Sequence, residues 1–174
     1  MKTALHVNFG DGKGKTTCAM GLACRALGQG YKVLIAQFMK KKNSGELVTF
    51  EKLPNATVIA MPEIKKFSFN MNEEEKLQTK EEQTQGLYDL CKQIEEIKPQ
   101  LMILDELGIT AYNNFITLEN MNLLIDTGLK YGEVVVTGRN VPPSLIERAD
   151  YVTEMKKHKH PFDEGLSARK GIEW

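Results

Sequence analysis

The feature that most limits the fold of this chain is the segment GDGKGKTT at residues 10–17, directly after an apolar run. The run, Ala4–Phe9, predicts a β-strand, and Lys15–Gly28 after it predicts a helix. Glycines let the backbone curl so that successive N–H groups point into one concavity, and a helix N-terminus adds partial positive charge. The segment therefore predicts a phosphate-binding loop made of Gly10, Asp11, Gly12, Lys13, Gly14, Lys15, Thr16 and Thr17.

Within this loop, Lys15 adds a full positive charge and Thr16 offers a hydroxyl to Mg²⁺. The usual pattern, G-x-x-x-x-G-K-[ST], needs a glycine at position 9, where this chain has Phe9. The first glycine is one residue closer. A glycine-rich turn that binds nothing is the alternative, but three alternating glycines with two lysines and two threonines favour nucleotide binding.

The rest of the chain alternates β-branched apolar runs with longer helical stretches. Besides the first strand and helix, the predicted strands are Lys32–Phe38, Ala56–Met61, Leu101–Leu107, Glu133–Thr137 and Tyr151–Met155. The predicted helices are Glu73–Ile97, Leu118–Gly128 and a short helix from Pro142 to about Ala149. This order predicts an α/β fold whose mainly parallel sheet has helices on both faces. With 174 residues, the chain is expected to form a single domain, 1–174.

Two acidic residues, Asp105 and Glu106, follow a run of four apolar residues. A buried parallel strand would deliver them to the edge of the sheet where the phosphate loop lies. Carboxylates beside a phosphate loop favour Mg²⁺ binding, and a solvated acidic turn is the alternative. A second acid at this place can also orient water for hydrolysis, so Glu106 leaves an ATP-hydrolysing enzyme as an alternative function.

Composition excludes several other classes of protein. Lys and Arg number 23, as do Asp and Glu, so the net charge of zero argues against nucleic-acid binding by bulk attraction to phosphates. No apolar run approaches the roughly 20 residues of a transmembrane helix, and the N-terminal one is too short for a signal peptide. Three cysteines without a C-x-x-C pair fit a reducing cytoplasm. We therefore expect a cytoplasmic protein that binds neither membrane nor nucleic acid.

Taken together, the motifs resemble the phosphate-loop type of ATP:corrinoid (cob(I)alamin) adenosyltransferases. The short loop matches that family's form, including its missing residue. Further matches are Gln37-Phe38 with Gly45-Glu46, the acidic motif, Thr137-Gly138-Arg139, and a tail that runs from Lys159–Gly165 to Gly171–Trp174. The resemblance covers nearly the whole chain, and it implies a phosphate-loop NTPase-like (RecA-like) fold.

The resemblance also implies a reaction. Co(I) of the corrinoid attacks the 5′ carbon of ATP, triphosphate leaves intact, and the nucleotide lies reversed in the loop. Catalysis then reduces to positioning and to stabilising negative charge, because Co(I) needs no general base. Lys13, Lys15, Glu106 and Arg139 are the expected catalytic residues.

Other expectations come from the same resemblance. Thr16 and Glu106 are expected to bind Mg²⁺, with Asp105 direct or through water. Arg25 is a further candidate for contact with the nucleotide, although a surface arginine is an equal alternative. The family also implies a homodimer and a transient flavoprotein reductase that supplies Co(I).

Phe67 and Phe69 are the candidate corrinoid contacts. From composition alone, two aromatics two residues apart are most simply anchors of a half-buried strand or loop. In the family, two aromatics at this spacing press on the lower face of the corrin and exclude the axial ligand. One member of the family has Trp at the second position, where this chain has Phe69.

Two rival functions stay open at this stage. A small-molecule kinase or ATPase on the same scaffold would release ADP. A nucleotide-dependent module that delivers finished cofactor would bind a corrinoid without turnover. The short loop and the tail favour the transferase, and the pattern leaves the preferred corrinoid open.

Overall fold

The computed structural model describes residues 2–39, 44–63 and 70–173. Its strands are β1 Leu5–Phe9, β2 Val33–Gln37, β3 Ala56–Ala60, β4 Leu101–Asp105, β5 Glu133–Gly138 and β6 Tyr151–Glu154. Its helices are α1 Lys15–Gly28, α2 Gly45–Phe50, α3 Glu73–Ile97, α4 Leu107–Tyr112, α5 Leu118–Leu129 and α6 Pro143–Arg148. A 3₁₀ helix at Pro161–Glu164 lies in the C-terminal segment.

The six strands form one sheet in the order β3-β2-β4-β5-β1-β6, and all its paired strands are parallel. Gln37 pairs with Asp105 across β2 and β4, and Phe9 pairs with both Gly138 and Glu154. The register therefore brings the segments after β1, β2, β4 and β5 to the same edge of the sheet. Polar residues at this edge come from distant parts of the sequence.

Each face of the sheet has its own hydrophobic core. Along β2, Leu34 and Ala36 face one core, whereas Val33 and Ile35 face the other. The first core is completed by residues of α3, α4 and α5, and the second by residues of α1 and α2. Strands buried on both faces explain why the apolar runs in the sequence are uninterrupted. The expected parallel α/β sheet with helices on both faces is confirmed.

The structure corrects the predicted elements at three places. The fourth strand ends at Asp105 and not at Leu107, because Glu106 adopts a left-handed backbone conformation (φ 62°) that turns the chain into α4. The six-residue helices α2 and α4 were not predicted. Helices this short carry too few turns to show a clear helical period in the sequence. The bounds of α1 and α3 agree with the prediction.

The longest predicted helix has a defined start. Asn72 accepts a hydrogen bond from the Glu75 backbone N–H, and the Glu75 carboxylate accepts one from the Asn72 N–H. This capping box satisfies two of the donors that every helix N-terminus leaves unpaired.

In the part of the chain that the structure describes, neither α3 nor any other helix is both long and apolar enough to cross a membrane.

The buried turn before β5 gives a test of the packing. A Cβ added to Gly132 would lie 2.2 Å from backbone atoms of Gln100, whereas one added to Gly21 in α1 would meet nothing within 4 Å. We expect Gly132→Ala to lower the free energy of unfolding by about 1–3 kcal/mol. Gly21→Ala should raise it by about 0.5–1 kcal/mol. Urea unfolding followed by circular dichroism measures both, and equal midpoints would contradict the assigned turn.

Candidate active site

The predicted phosphate loop connects β1 to α1, and its backbone shape requires glycine at two positions. Gly10 and Gly14 have φ angles of 108° and 118°, in the region that side chains disfavour. Gly12 is needed for a different reason. A Cβ there would lie 2.6 Å from the carbonyl oxygen of Met155, so the backbone after β6 could not approach the loop.

Two of the loop's N–H groups donate hydrogen bonds to other parts of the chain. Gly10 donates to the carbonyl oxygen of Arg139 at 3.1 Å, and Gly12 donates to that of Met155 at 2.6 Å. The sequence-based picture, in which successive N–H groups of the loop all face a ligand, is therefore wrong for these two residues. The N–H groups of the first turn of α1, which a helix leaves without intrahelical partners, are the donors that such a site offers to an anion.

A small cavity of about 250 Å³ opens at the loop. It is lined by Asp11, Gly12, Lys13, Gly14, Lys15, Thr16, Thr17, Glu106, Arg139, His160, Ile172 and Glu173. Most of the predicted site residues are thus brought together, although they come from both ends of the sequence. Lys13, Lys15 and Arg139 make the cavity suitable for a polyphosphate, whose negative charge needs several cations.

Lys15 is the central cation of this cavity. Its Nζ donates to the carbonyl oxygen of Gly12 at 2.7 Å, which holds the side chain back over its own loop. Burial lowers the pKa of Lys15 from the ordinary lysine value, and nearby Arg139 acts in the same direction. The Glu106 carboxylate partly offsets this shift of the pKa. An anion bound in the cavity would favour the charged form.

Asp105 is the buried centre of the site. Its side chain has no exposed surface, and its Oδ1 accepts hydrogen bonds from the hydroxyls of Thr16 at 2.8 Å and Thr137 at 2.6 Å. Its Oδ2 accepts one from Gln37 Nε2 at 3.1 Å. One carboxylate therefore joins β2, β4, β5 and the start of α1, and it orients the Thr16 hydroxyl.

Glu106, the second acid, reaches the cavity that Asp105 does not line. The Glu106 N–H donates to Thr137 Oγ1 at 2.9 Å. Its left-handed backbone conformation turns the chain, so that the side chains of Glu106 and Asp105 point in different directions. Among the described residues, no three His, Cys, Asp or Glu side chains form a cluster that could hold a metal ion. The oxygen donors at Thr16 and Glu106 still fit Mg²⁺, which takes few protein ligands and completes its shell with water and phosphate oxygens.

One predicted residue, Arg25, is not brought to this cavity. Arg25 lies almost three turns along α1 and lines a separate cleft with His6, Glu133 and Tyr151, at the opposite edge of the sheet. Phe67 and Phe69 lie outside the described residues.

Several site residues were not identified from the sequence as members of the site. Gln37 and Thr137 appeared only as parts of family motifs, yet both contact Asp105. Glu173 accepts a hydrogen bond from Lys13 Nζ at 2.9 Å, and Met155 lies close against all three glycines of the loop, Gly10, Gly12 and Gly14. In the sequence, Gln37 and Thr137 are each a polar residue at the end of an apolar strand, which could have marked them as candidates. That both strands lie beside β4, and so beside Asp105, could be known only from the strand order.

A parallel sheet with a glycine-rich, lysine-bearing loop between β1 and α1 defines a phosphate-loop nucleotide-binding protein. The fold is similar to that of the flagellar accessory protein FlaH from Methanocaldococcus jannaschii. That structure has a TM-score of 0.56 and 11% sequence identity, over 87% of this chain and 70% of the other. At this identity the likeness concerns the fold alone, and it supports the expected RecA-like class.

Sequence comparison identifies the family within the class of phosphate-loop proteins. The family described as ATP:corrinoid adenosyltransferase BtuR/CobO/CobP matches residues 1–174. The corrinoid adenosyltransferase of Pseudomonas aeruginosa is 35% identical over 98% of this chain and 83% of its own. That of Escherichia coli K12 is 29% identical over 95% of this chain and 82% of its own. The chain therefore belongs to the ATP:corrinoid adenosyltransferase family and is an enzyme of that class, with ATP and a corrinoid as its substrates.

The Asp105 network predicts a stability effect. Thr137→Val keeps the shape of the side chain but leaves Asp105 Oδ1 and the Glu106 N–H each without one buried partner. We expect a loss of about 1–3 kcal/mol in the free energy of unfolding. Thr127→Val in α5 is the matched control, because its hydroxyl donates to a carbonyl of its own helix and otherwise meets only a weakly donating thiol, that of Cys91. Similar losses in the two variants would contradict the network.

The lowered pKa of Lys15 predicts how ATP affinity depends on pH. As pH rises through that pKa, which lies below the ordinary 10.5, the charge is lost and affinity should fall by up to about tenfold per pH unit. Displacement of a fluorescent ATP analogue between pH 7.5 and 10 measures this slope. Lys15→Met should bind weakly with a flat profile, whereas Lys13→Met should keep the slope. The same slope in Lys15→Met would assign the titration to another group.

Proposed function

We propose that the enzyme transfers the 5′-deoxyadenosyl group of ATP to the Co(I) centre of a corrinoid and releases intact triphosphate. The observation that carries the proposal is the cavity at the phosphate loop, where three cationic residues, Lys13, Lys15 and Arg139, line one small space. They would stabilise the negative charge that the leaving triphosphate gains. The Co(I) lone pair forms the cobalt–carbon bond while the bond from C5′ to the phosphate oxygen breaks, so no proton is moved.

The roles of the site residues follow from this scheme. The N–H groups at the start of α1 and the Lys15 ammonium would bind phosphate oxygens, and the partial positive charge of the helix N-terminus would add to them. Arg139 would contribute a planar donor suited to two phosphate oxygens at once. Their effect is to hold the triphosphate so that C5′ is presented for attack in line with the bond that breaks.

Magnesium fits beside these residues. Thr16 and Glu106 would hold it, and the buried Asp105 would orient the Thr16 hydroxyl through their 2.8 Å hydrogen bond. Because Asp105 already accepts three hydrogen bonds, it is better suited to this supporting role than to direct ligation. A bound Mg²⁺ supplies neutralisation of charge on the triphosphate oxygens.

On the corrinoid side, Phe67 and Phe69 would press on the lower face of the macrocycle. Apolar rings without a nitrogen or oxygen donor would exclude an axial ligand from cobalt. Four-coordinate Co(II) is easier to reduce, so a flavoprotein reductase could then supply Co(I). We further propose a cytoplasmic homodimer, consistent with the family resemblance.

The decisive experiment mixes the protein anaerobically with MgATP and chemically reduced cob(I)alamin. We expect the visible spectrum of a light-sensitive alkylcobalamin, and one intact triphosphate for each cobalt–carbon bond. Lys15→Ala should lower the rate at least about 100-fold, because it removes the central cation from the leaving group. Absorbance and ion-exchange chromatography of the phosphates provide the two readouts.

The control is Lys52→Ala, which removes an exposed lysine after α2 that does not line the cavity. It should leave the rate unchanged. ADP and phosphate with an unchanged corrinoid would contradict the proposal in favour of a kinase or ATPase. Tight corrinoid binding without turnover would instead indicate a delivery module.

A further inference from the structure

The C-terminal segment, residues 161–173, returns to the phosphate loop although it takes no part in the hydrophobic cores. Every residue from 161 to 173 is exposed, so the segment has no buried apolar side chain to hold it. Its last part is a turn in which the N–H of Glu173 donates to the Arg169 carbonyl oxygen at 2.9 Å. Polar contacts are thus the main attachment of this segment to the site.

Glu173 carries the attachment. Lys13 Nζ lies 2.9 Å from its Oε1, and the guanidinium of Arg169 donates to both carboxylate oxygens, at 3.0 and 3.2 Å. The Arg169 N–H also donates to Oε2 at 2.8 Å. Arg169 and Lys13 together hold the pKa of the Glu173 carboxyl well below its usual range. The donors form a ready-made anion site, and a carboxylate of the chain occupies it.

The Glu173 carboxylate lies in the cavity where we expect the negatively charged triphosphate to bind. Glu173 lines the same cavity as Lys15 and Arg139, where a triphosphate would lie. Like charges in one small cavity repel each other strongly. The Glu173 side chain is 22% exposed, but both cations that hold it reach solvent, with the side chains of Lys13 and Arg169 48% and 51% exposed. Exposed pairs contribute little stability, so a multiply charged anion can replace the carboxylate.

We propose that Arg169 is a polyphosphate-binding residue of this enzyme, and that Glu173 occupies its donors and those of Lys13 until the triphosphate group of ATP displaces it. This inference rests on the proposed placement of the triphosphate at the loop. Arg169 itself lies behind Glu173 and does not line the cavity, but its planar fork, which binds two carboxylate oxygens of Glu173, is equally suited to two phosphate oxygens. Lys13 and Arg169 therefore exchange one anion for another, and the C-terminal segment moves when the nucleotide enters or leaves.

The test measures binding of inorganic triphosphate with Mg²⁺ by calorimetry and by fluorescence of Trp174, the chain's single tryptophan, which directly follows Glu173. Glu173→Gln should bind triphosphate about two- to fivefold more tightly than the wild type, because no carboxylate has to be displaced. Arg169→Gln should bind at least about tenfold more weakly, and Arg169→Lys should be intermediate. Triphosphate should change the Trp174 emission of the wild type, and the free Glu173→Gln variant should already show the changed emission.

Glu164→Gln is the matched control, because it removes the same charge from the same segment at a residue that does not line the cavity. Equal affinities of Glu164→Gln and Glu173→Gln would overturn the proposal. Weaker binding by Glu173→Gln would also overturn it, since Glu173 would then be a fixed support of Lys13. Unchanged binding by Arg169→Gln, or no triphosphate binding by the wild type, would do the same. If the variants bind triphosphate as expected but the enzyme transfers no adenosyl group, only the proposed function is overturned.

Discussion

The buried Asp105 carboxylate is the interaction on which the rest of the site depends. A charge with no exposed surface is costly unless hydrogen bonds compensate it, and here Thr16, Thr137 and Gln37 do so. Those donors belong to α1, β5 and β2, so satisfying one carboxylate fixes how three elements meet at the edge of the sheet. The phosphate loop, the Thr16 hydroxyl and the backbone of Glu106 are placed as a consequence.

The loop itself has two separate tasks. Its first glycines attach it to the rest of the sheet, because Gly10 and Gly12 donate to carbonyl oxygens that follow β5 and β6. Its later residues and the start of α1 are left for the ligand. The two hydrogen bonds to Arg139 and Met155 fix the start of the loop against the edge of the sheet. The C-terminal segment adds the Glu173 carboxylate to the same cavity, so the positive charge of Lys13 is partly balanced from within the chain.

Much of the fold could be predicted from local patterns. The bounds of α1 and α3, the parallel sheet and the placement of the loop all follow from apolar periodicity and a glycine-rich motif. The helices α2 and α4 could not be predicted, because six residues carry little periodic signal. The turn at Glu106 could not be predicted either, because a left-handed backbone at a residue other than glycine leaves no clear mark in the sequence.

The sequence by itself determined the class of fold, the phosphate loop and the family, because these are written in contiguous residues whose chemistry does not depend on distant partners. The tertiary structure alone decided which residues share the cavity. It brought Glu173 beside Lys13, placed Thr137 and Gln37 on Asp105, and left Arg25 at the other edge of the sheet. The physical reason is that strand order and the path of the C-terminal segment are set by burial and hydrogen bonding across the whole chain. No short pattern of residues contains that information.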